Sequence, residues 1–233
     1  MEKEPLSVGL MVPANNTTME PELLAWLPEG SSCRTVRIPR GKGMLTPDTL
    51  PAYLAEAMAL AKELRDPDID VVVYGCTAAG FMAGPARDAE VAGELAAITK
   101  KRVVTTASSM NAALKDIGAT RIGLVTPYLD AVNDRLKAFL QADGIAVEAF
   151  SSFYAKTVDE LGAITAAGVA DRARDVMRPG LDAIFIACSQ LPTYSIIVEL
   201  ESDLEVPVWS SIRATAWQAL RAHSGAPASP QPS

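Results

Sequence analysis

The sequence predicts a parallel α/β protein built from two similar halves. Short apolar runs alternate with amphipathic helical stretches along all 233 residues. The runs are rich in Val and Ile and almost unbroken in hydrophobicity, as a strand covered on both faces must be. The order of motifs also repeats once. Strict strand-helix alternation argues for parallel layers joined by right-handed crossovers.

In chain order the strand-like runs are Val8–Pro13, Arg34–Ile38, Val71–Cys76, Val103–Thr106, Ile122–Pro127, Val147–Phe150, Ala183–Cys188 and Val206–Ser211. Between them lie amphipathic stretches at Leu50–Leu64, Arg87–Ile98, Ser108–Ile117 and Asp130–Gln141. A final helix around Arg213–Arg221 is expected to cross back to the first half. Gly225–Ser233, mostly Pro, Ser and Ala, reads as a loose tail.

The repeat pairs Val8-Gly9-Leu10-Met11-Val12-Pro13 with Ile122-Gly123-Leu124-Val125-Thr126-Pro127, and the run Asp70 to Thr77 with Asp182 to Ser189. Val104-Thr105-Thr106 pairs with Trp209-Ser210-Ser211, each before a helix. The offsets of 114, 112 and 105 residues keep their order, which favours duplication over chance likeness between strands. The expected division is residues 1–107 plus 212–233 for one half and 108–211 for the other. A pseudo-twofold axis would bring equivalent strand ends to one cleft, and open α/β sheets bind ligands beyond the carboxyl ends of their strands.

Composition narrows the function classes. A hydrophobic share of 49% supports a real core, and a net charge of −7 without a basic stripe argues against nucleic acid as partner. An anion site is still possible if it is locally positive or rich in N–H donors. The first residues contain no apolar signal region, and no apolar run approaches the roughly 20 residues that span a bilayer. A cytoplasmic protein without membrane contact is therefore expected. Three widely spaced cysteines with no CxxC do not suggest disulfides, and the single His223 leaves zinc sites and Ser-His-Asp triads without parts.

The cysteines carry the chemistry. Cys76 and Cys188 occupy equivalent repeat positions, each followed by a hydroxyl residue, Thr77 or Ser189. At a strand-to-helix junction a thiol sits beside unpaired N–H groups and the positive end of a helix dipole, which favours thiolate. The same N–H groups can hold a carboxylate, and the small Ala78 and Ala79 would let it approach the backbone. Cys33 has no such setting and reads as structural. The run Asn15-Asn16-Thr17-Thr18 can cap a helix or present donors to an anion. Tyr128, at the end of the matching strand, can donate to a developing oxyanion or simply pack.

These residues resemble a known superfamily. Val12-Pro13-Ala14-Asn15-Asn16-Thr17-Thr18-Met19-Glu20, Tyr74-Gly75-Cys76-Thr77, Thr126-Pro127-Tyr128 and Ala187-Cys188-Ser189 look like the Asp/Glu racemase superfamily, nearest the branch of maleate cis-trans isomerases and arylmalonate decarboxylases. The likeness spans about residues 6–222. It implies two Rossmann-like, flavodoxin-like halves with the active site in the cleft between them. It also implies no cofactor or metal, a small carboxylate substrate, and a homodimer or higher homo-oligomer. It assigns Cys76 as nucleophile, Cys188 as its partner, and Asn16 and Tyr128 to the substrate; Thr77, Ala78 and Ser189, beside the two thiols, are expected to contact the substrate as well. The decarboxylases usually keep only the second cysteine, so Cys76 speaks for isomerisation.

One position departs from the isomerase pattern. Glu160 falls where those enzymes place a second substrate-binding Asn, and a carboxylate there would repel a dicarboxylate. Glu160 points away, the register slips, or the substrate is not maleate. The resemblance leaves four chemistries open: thiolate addition and cis-trans isomerisation, two-base racemisation of an amino acid or hydantoin, malonate decarboxylation with protonation by Cys188, or carboxylate binding without turnover.

Overall fold

A computed structural model describes residues 4–40 and 43–225. The first half runs β1 (Ser7–Pro13), α1 (Met19–Trp26), β2 (Ser32–Ile38), α2 (Leu50–Ala61), β3 (Val71–Tyr74), α3 (Thr77–Ala83), α4 (Pro85–Thr99), β4 (Arg102–Thr105) and α5 (Thr106–Asp116). The second runs β5 (Arg121–Thr126), α6 (Asp130–Gln141), β6 (Ala146–Ser152), α7 (Val158–Gly162), α8 (Ala166–Asp175), β7 (Ala183–Ile186), α9 (Ile197–Leu204), β8 (Val208–Ser210) and α10 (Ser211–His223).

The strands form two four-stranded sheets, ordered β2-β1-β3-β4 and β6-β5-β7-β8. Every pairing within them is parallel. The same order in both sheets is the structural form of the sequence repeat. Central β3 and β7 are buried at every position, while edge strand β2 alternates between covered and exposed. Side chains that alternate across the pleat explain the contrast, since an edge strand needs only one apolar face. Helix α10 follows β8 of the second sheet but packs against α1, α5, β3 and β4. Its Ile212, Ala216 and Ala219 join Val8, Leu10, Val71 and Val73 in one buried cluster.

All eight expected strands are present, with shifted ends. β3 stops at Tyr74 and β7 at Ile186, two residues short of the cysteines. Hydrophobicity continues past the point where the hydrogen-bonded ladder ends. Thr106 and Ser211 open helices rather than close strands, capped by Thr105 and Ser210, whose side chains accept the N–H of Ser108 and Arg213. Helices α1, α8 and α9 occupy further crossovers between the strands. Of the expected tail, residues 226–233 lie outside the described residues. Among the described residues no helix is long and apolar enough to cross a membrane.

Candidate active site

The carboxyl ends of both sheets face one pocket. Its lining includes Asn16, Cys76, Thr77, Ala78, Tyr128, Cys188 and Ser189, so every site residue expected from the sequence meets there. Cys33 lies elsewhere, and burial, with Glu20 adding to it, pushes its thiol up to about 12. All three cysteines are free. Among the described residues no group of His, Cys, Asp and Glu could hold a metal ion.

Cys76 is the N-cap residue of α3; its sulfur makes no capping hydrogen bond, but the Ala79 and Ala78 N–H groups lie close enough to favour its thiolate. Cys188 departs from the expected junction. No helix follows it until Ile197, and residues 189–196 form turns. Pro192 lacks the N–H that would close the first turn of a helix capped by Cys188. Instead the N–H of Gln190 reaches back to the Cys188 sulfur at 3.4 Å. Cys188 also holds a φ of 148°, a region that side-chain-bearing residues rarely enter, and such strain concentrates at functional sites.

The turn after Cys188 is clamped to the first half. The Asn16 amide donates to the carbonyl and the hydroxyl of Ser189, both at 3.2 Å. The Asn16 oxygen accepts the N–H groups of Thr18 and Met19 at 3.1 and 2.9 Å, which caps the entry to α1. Capping is thus what Asn16 does here, and its amide hydrogens are spent on Ser189. Ser189 in turn donates to the Gly75 carbonyl at 2.8 Å, immediately before Cys76. Gln190 exchanges hydrogen bonds with Thr17, and Thr193 donates twice to Glu22. One network fixes both cysteine backbones relative to each other.

Two phenols flank the thiols. Tyr128 faces Cys188, and Tyr53 of α2 faces Cys76. Both hydroxyls are buried without reaching hydrogen-bond geometry to any partner, as is that of Thr77. Burial raises both phenols well above their usual range, so they remain O–H donors. The Tyr128 ring packs edge-on against Phe81 of α3 at 5.4 Å, a contact between the halves.

The expectation of readily formed thiolates needs correction. Burial pushes both thiols above the ordinary range. For Cys76 the Ala79 N–H, the Tyr53 hydroxyl, the Arg40 charge and the Ala78 N–H pull the other way without overcoming it. For Cys188 the Gln190 N–H and Tyr128 oppose burial, the nearness of Cys76 adds to it, and Arg40 opposes it. Desolvation outweighs the N–H donors here because both thiols are buried. Mutual repulsion also means that ionising one thiol holds the proton on the other.

Glu160 points away from the pocket. Its carboxylate accepts the Lys156 N–H at 2.7 Å and its own N–H donates to Thr157 at 3.1 Å, so it finishes the start of α7. Helix α7 offers the pocket Val158 and Leu161 instead. Sequence reasoning missed Tyr53 and Arg40. Arg40 follows β2 at the carboxyl end of its sheet, where the position of strand ends alone could have flagged it. Nothing in the sequence distinguishes Tyr53 from other apolar-face residues of α2.

Comparison with known proteins agrees with this architecture. A family model described as arylmalonate decarboxylase matches residues 8–231. An arylmalonate decarboxylase of Bordetella bronchiseptica is 30% identical, over 97% of this chain and 91% of its own length. A maleate isomerase of Nocardia farcinica is 28% identical, over 92% of this chain and 88% of its own. A solved cysteine-to-serine mutant of the Nocardia farcinica maleate cis-trans isomerase, with a covalently bound succinylcysteine intermediate, superposes with a TM-score of 0.87 at 25% identity, covering 95% of this chain and 94% of that one.

Proposed function

The chain belongs to the arylmalonate decarboxylase family, and from that premise we propose that it is a cis-trans isomerase of a maleate-type dicarboxylate. The observation that carries this reading is the pair of buried thiols in one pocket with unequal surroundings. Each thiol has a phenol, at least one N–H group and Arg40 near it, but only Cys76 caps a helix, which favours its thiolate, and a thiolate there keeps Cys188 protonated. The pair therefore divides into nucleophile and acid.

The Cys76 sulfur adds to one alkene carbon while Cys188 transfers its proton to the other. The product is a thioether whose former double bond is single and free to rotate. Cys188 thiolate then takes a proton back from that carbon, the C–S bond breaks, and the trans alkene leaves with Cys76 again a thiolate. Charge that gathers on the neighbouring carboxylate meets the Thr77 and Tyr128 hydroxyls, both buried and unpartnered. That a relative holds a succinylcysteine intermediate supports the same step. With Glu160 turned outward, no carboxylate among the described residues lining the pocket opposes a dianion.

The test is turnover of maleate followed by nuclear magnetic resonance. Wild type is expected to form fumarate, Cys76→Ala to form none, and Cys188→Ser to accumulate an adduct on Cys76 visible by mass spectrometry. Fumarate formation by Cys76→Ala at the wild-type rate overturns the reading.

A second reading is decarboxylation of an aryl-substituted malonate, with Cys188 protonating the enolate. It draws on the apolar wall of Met44, Leu45, Val158 and Leu161, which suits an aryl group. Release of labelled carbon dioxide from such a malonate, without maleate turnover, would favour it.

A further inference from the structure

Arg40 is the one charged side chain among the described residues that line the pocket. In a protein of net charge −7, a single cation beside two thiols and no acid makes the cleft a local positive site. The guanidinium Nη2 donates to the Gly43 carbonyl at 3.3 Å and to the Met44 sulfur at 3.9 Å. Gly43 is itself bridged to Thr157 of the second half. The Arg40 Nε is buried and has no partner, and no carboxylate among the described residues pairs with it. A buried charged donor without an acceptor is costly and is expected to be completed by something. The planar guanidinium fork matches a carboxylate.

We infer that Arg40 recognises the second carboxylate of the substrate, and so makes the pocket select dicarboxylates over monocarboxylates. The inference deepens the proposed function and rests on it only for the identity of the pocket. Arg40 lines the same pocket as Cys76, Cys188 and Tyr128, so its charge offsets the repulsion between a bound dianion and a thiolate.

The test needs no turnover. Alkylation of Cys76 by neutral iodoacetamide, quantified by peptide mass spectrometry, is measured against rising succinate or butyrate, which differ by one carboxylate. Wild type is expected to be protected by succinate at a concentration at least about tenfold lower than butyrate, and Arg40→Met to lose that preference with butyrate protection unchanged. Arg40→Lys is expected to keep part of it. Equal protection in wild type, or a succinate preference that survives in Arg40→Met, overturns the inference. If Arg40→Met fails to fold, Arg40→Gln is judged by the same criterion. A succinate preference without maleate turnover retains the role of Arg40 and defeats the isomerase reading. Maleate turnover without a succinate preference does the reverse.

Discussion

Gly75→Ala is expected to unseat Cys76 by overpacking the residue in front of it. A Cβ at Gly75 would lie 2.6 Å from the Met19 sulfur, 2.8 Å from Val12 Cγ1 and 3.0 Å from the Met11 carbonyl. Met19 is fully buried and the carbonyl belongs to β1, so neither can yield cheaply. Overpacking of this kind costs about 1–3 kcal/mol. For a chain of this size the melting temperature should fall by roughly 2–12 °C. The function should suffer more than the fold, because the Gly75 carbonyl also accepts the hydrogen bond from the Ser189 hydroxyl that sets one cysteine against the other. A displacement of about 1 Å at the reacting sulfur can lower turnover on the order of a hundredfold. Calorimetry and the maleate assay, run well below the melting point, measure the two effects. Gly93→Ala in α4, where a Cβ meets nothing within 4 Å, serves as the control and should be neutral or stabilising. A Gly75→Ala protein with wild-type melting and wild-type turnover would refute the packing argument.

Replacing Cys188 by Gly and by Ala should separate strain from chemistry. Both variants lose the thiol, but Gly relieves the φ of 148°, so in denaturant titration it should be the more stable by about 1 kcal/mol, and the opposite order would refute the strain. Asp88 supplies a pH-dependent term. Burial raises its carboxyl from 3.8 to about 6, against the pull of Thr105 and the Ser108 N–H. Its stabilising contribution is whole below the unfolded value, where both states are protonated, and is lost as pH rises through about 6, to the extent of roughly 3 kcal/mol. Asp88→Asn should therefore gain on wild type between about pH 4 and about pH 8 in denaturant titrations, and a pH-independent difference would count against the buried carboxyl.

The two sheets were legible because their central strands cannot hide their environment. β3 and β7 are covered on both faces, so the chain must spell them as unbroken apolar runs. The duplicated order β2-β1-β3-β4 and β6-β5-β7-β8 appears in the sequence as offset motifs. That equivalence also brought Cys76 and Cys188 to one pocket in advance of any coordinates. Tyr53 was invisible because an aromatic on the buried face of α2 looks like core whether or not its hydroxyl meets a thiol. The residues after Cys188 were misjudged because repeat symmetry predicted a helix there, while Pro192 and the clamp to Asn16 and Thr17 impose turns.

Periodicity and internal repetition are local properties, and they were enough to establish the layers, the two halves and the facing cysteines. The ionisation of those cysteines is not local. It depends on burial and on Tyr53, Tyr128 and Arg40, which come from other elements. The outward turn of Glu160 and the bond from Asn16 to Ser189, 173 residues away, belong to the same category. Only packing decides which groups lose water together, and the balance between lost hydration and gained partners sets the charge of a buried thiol.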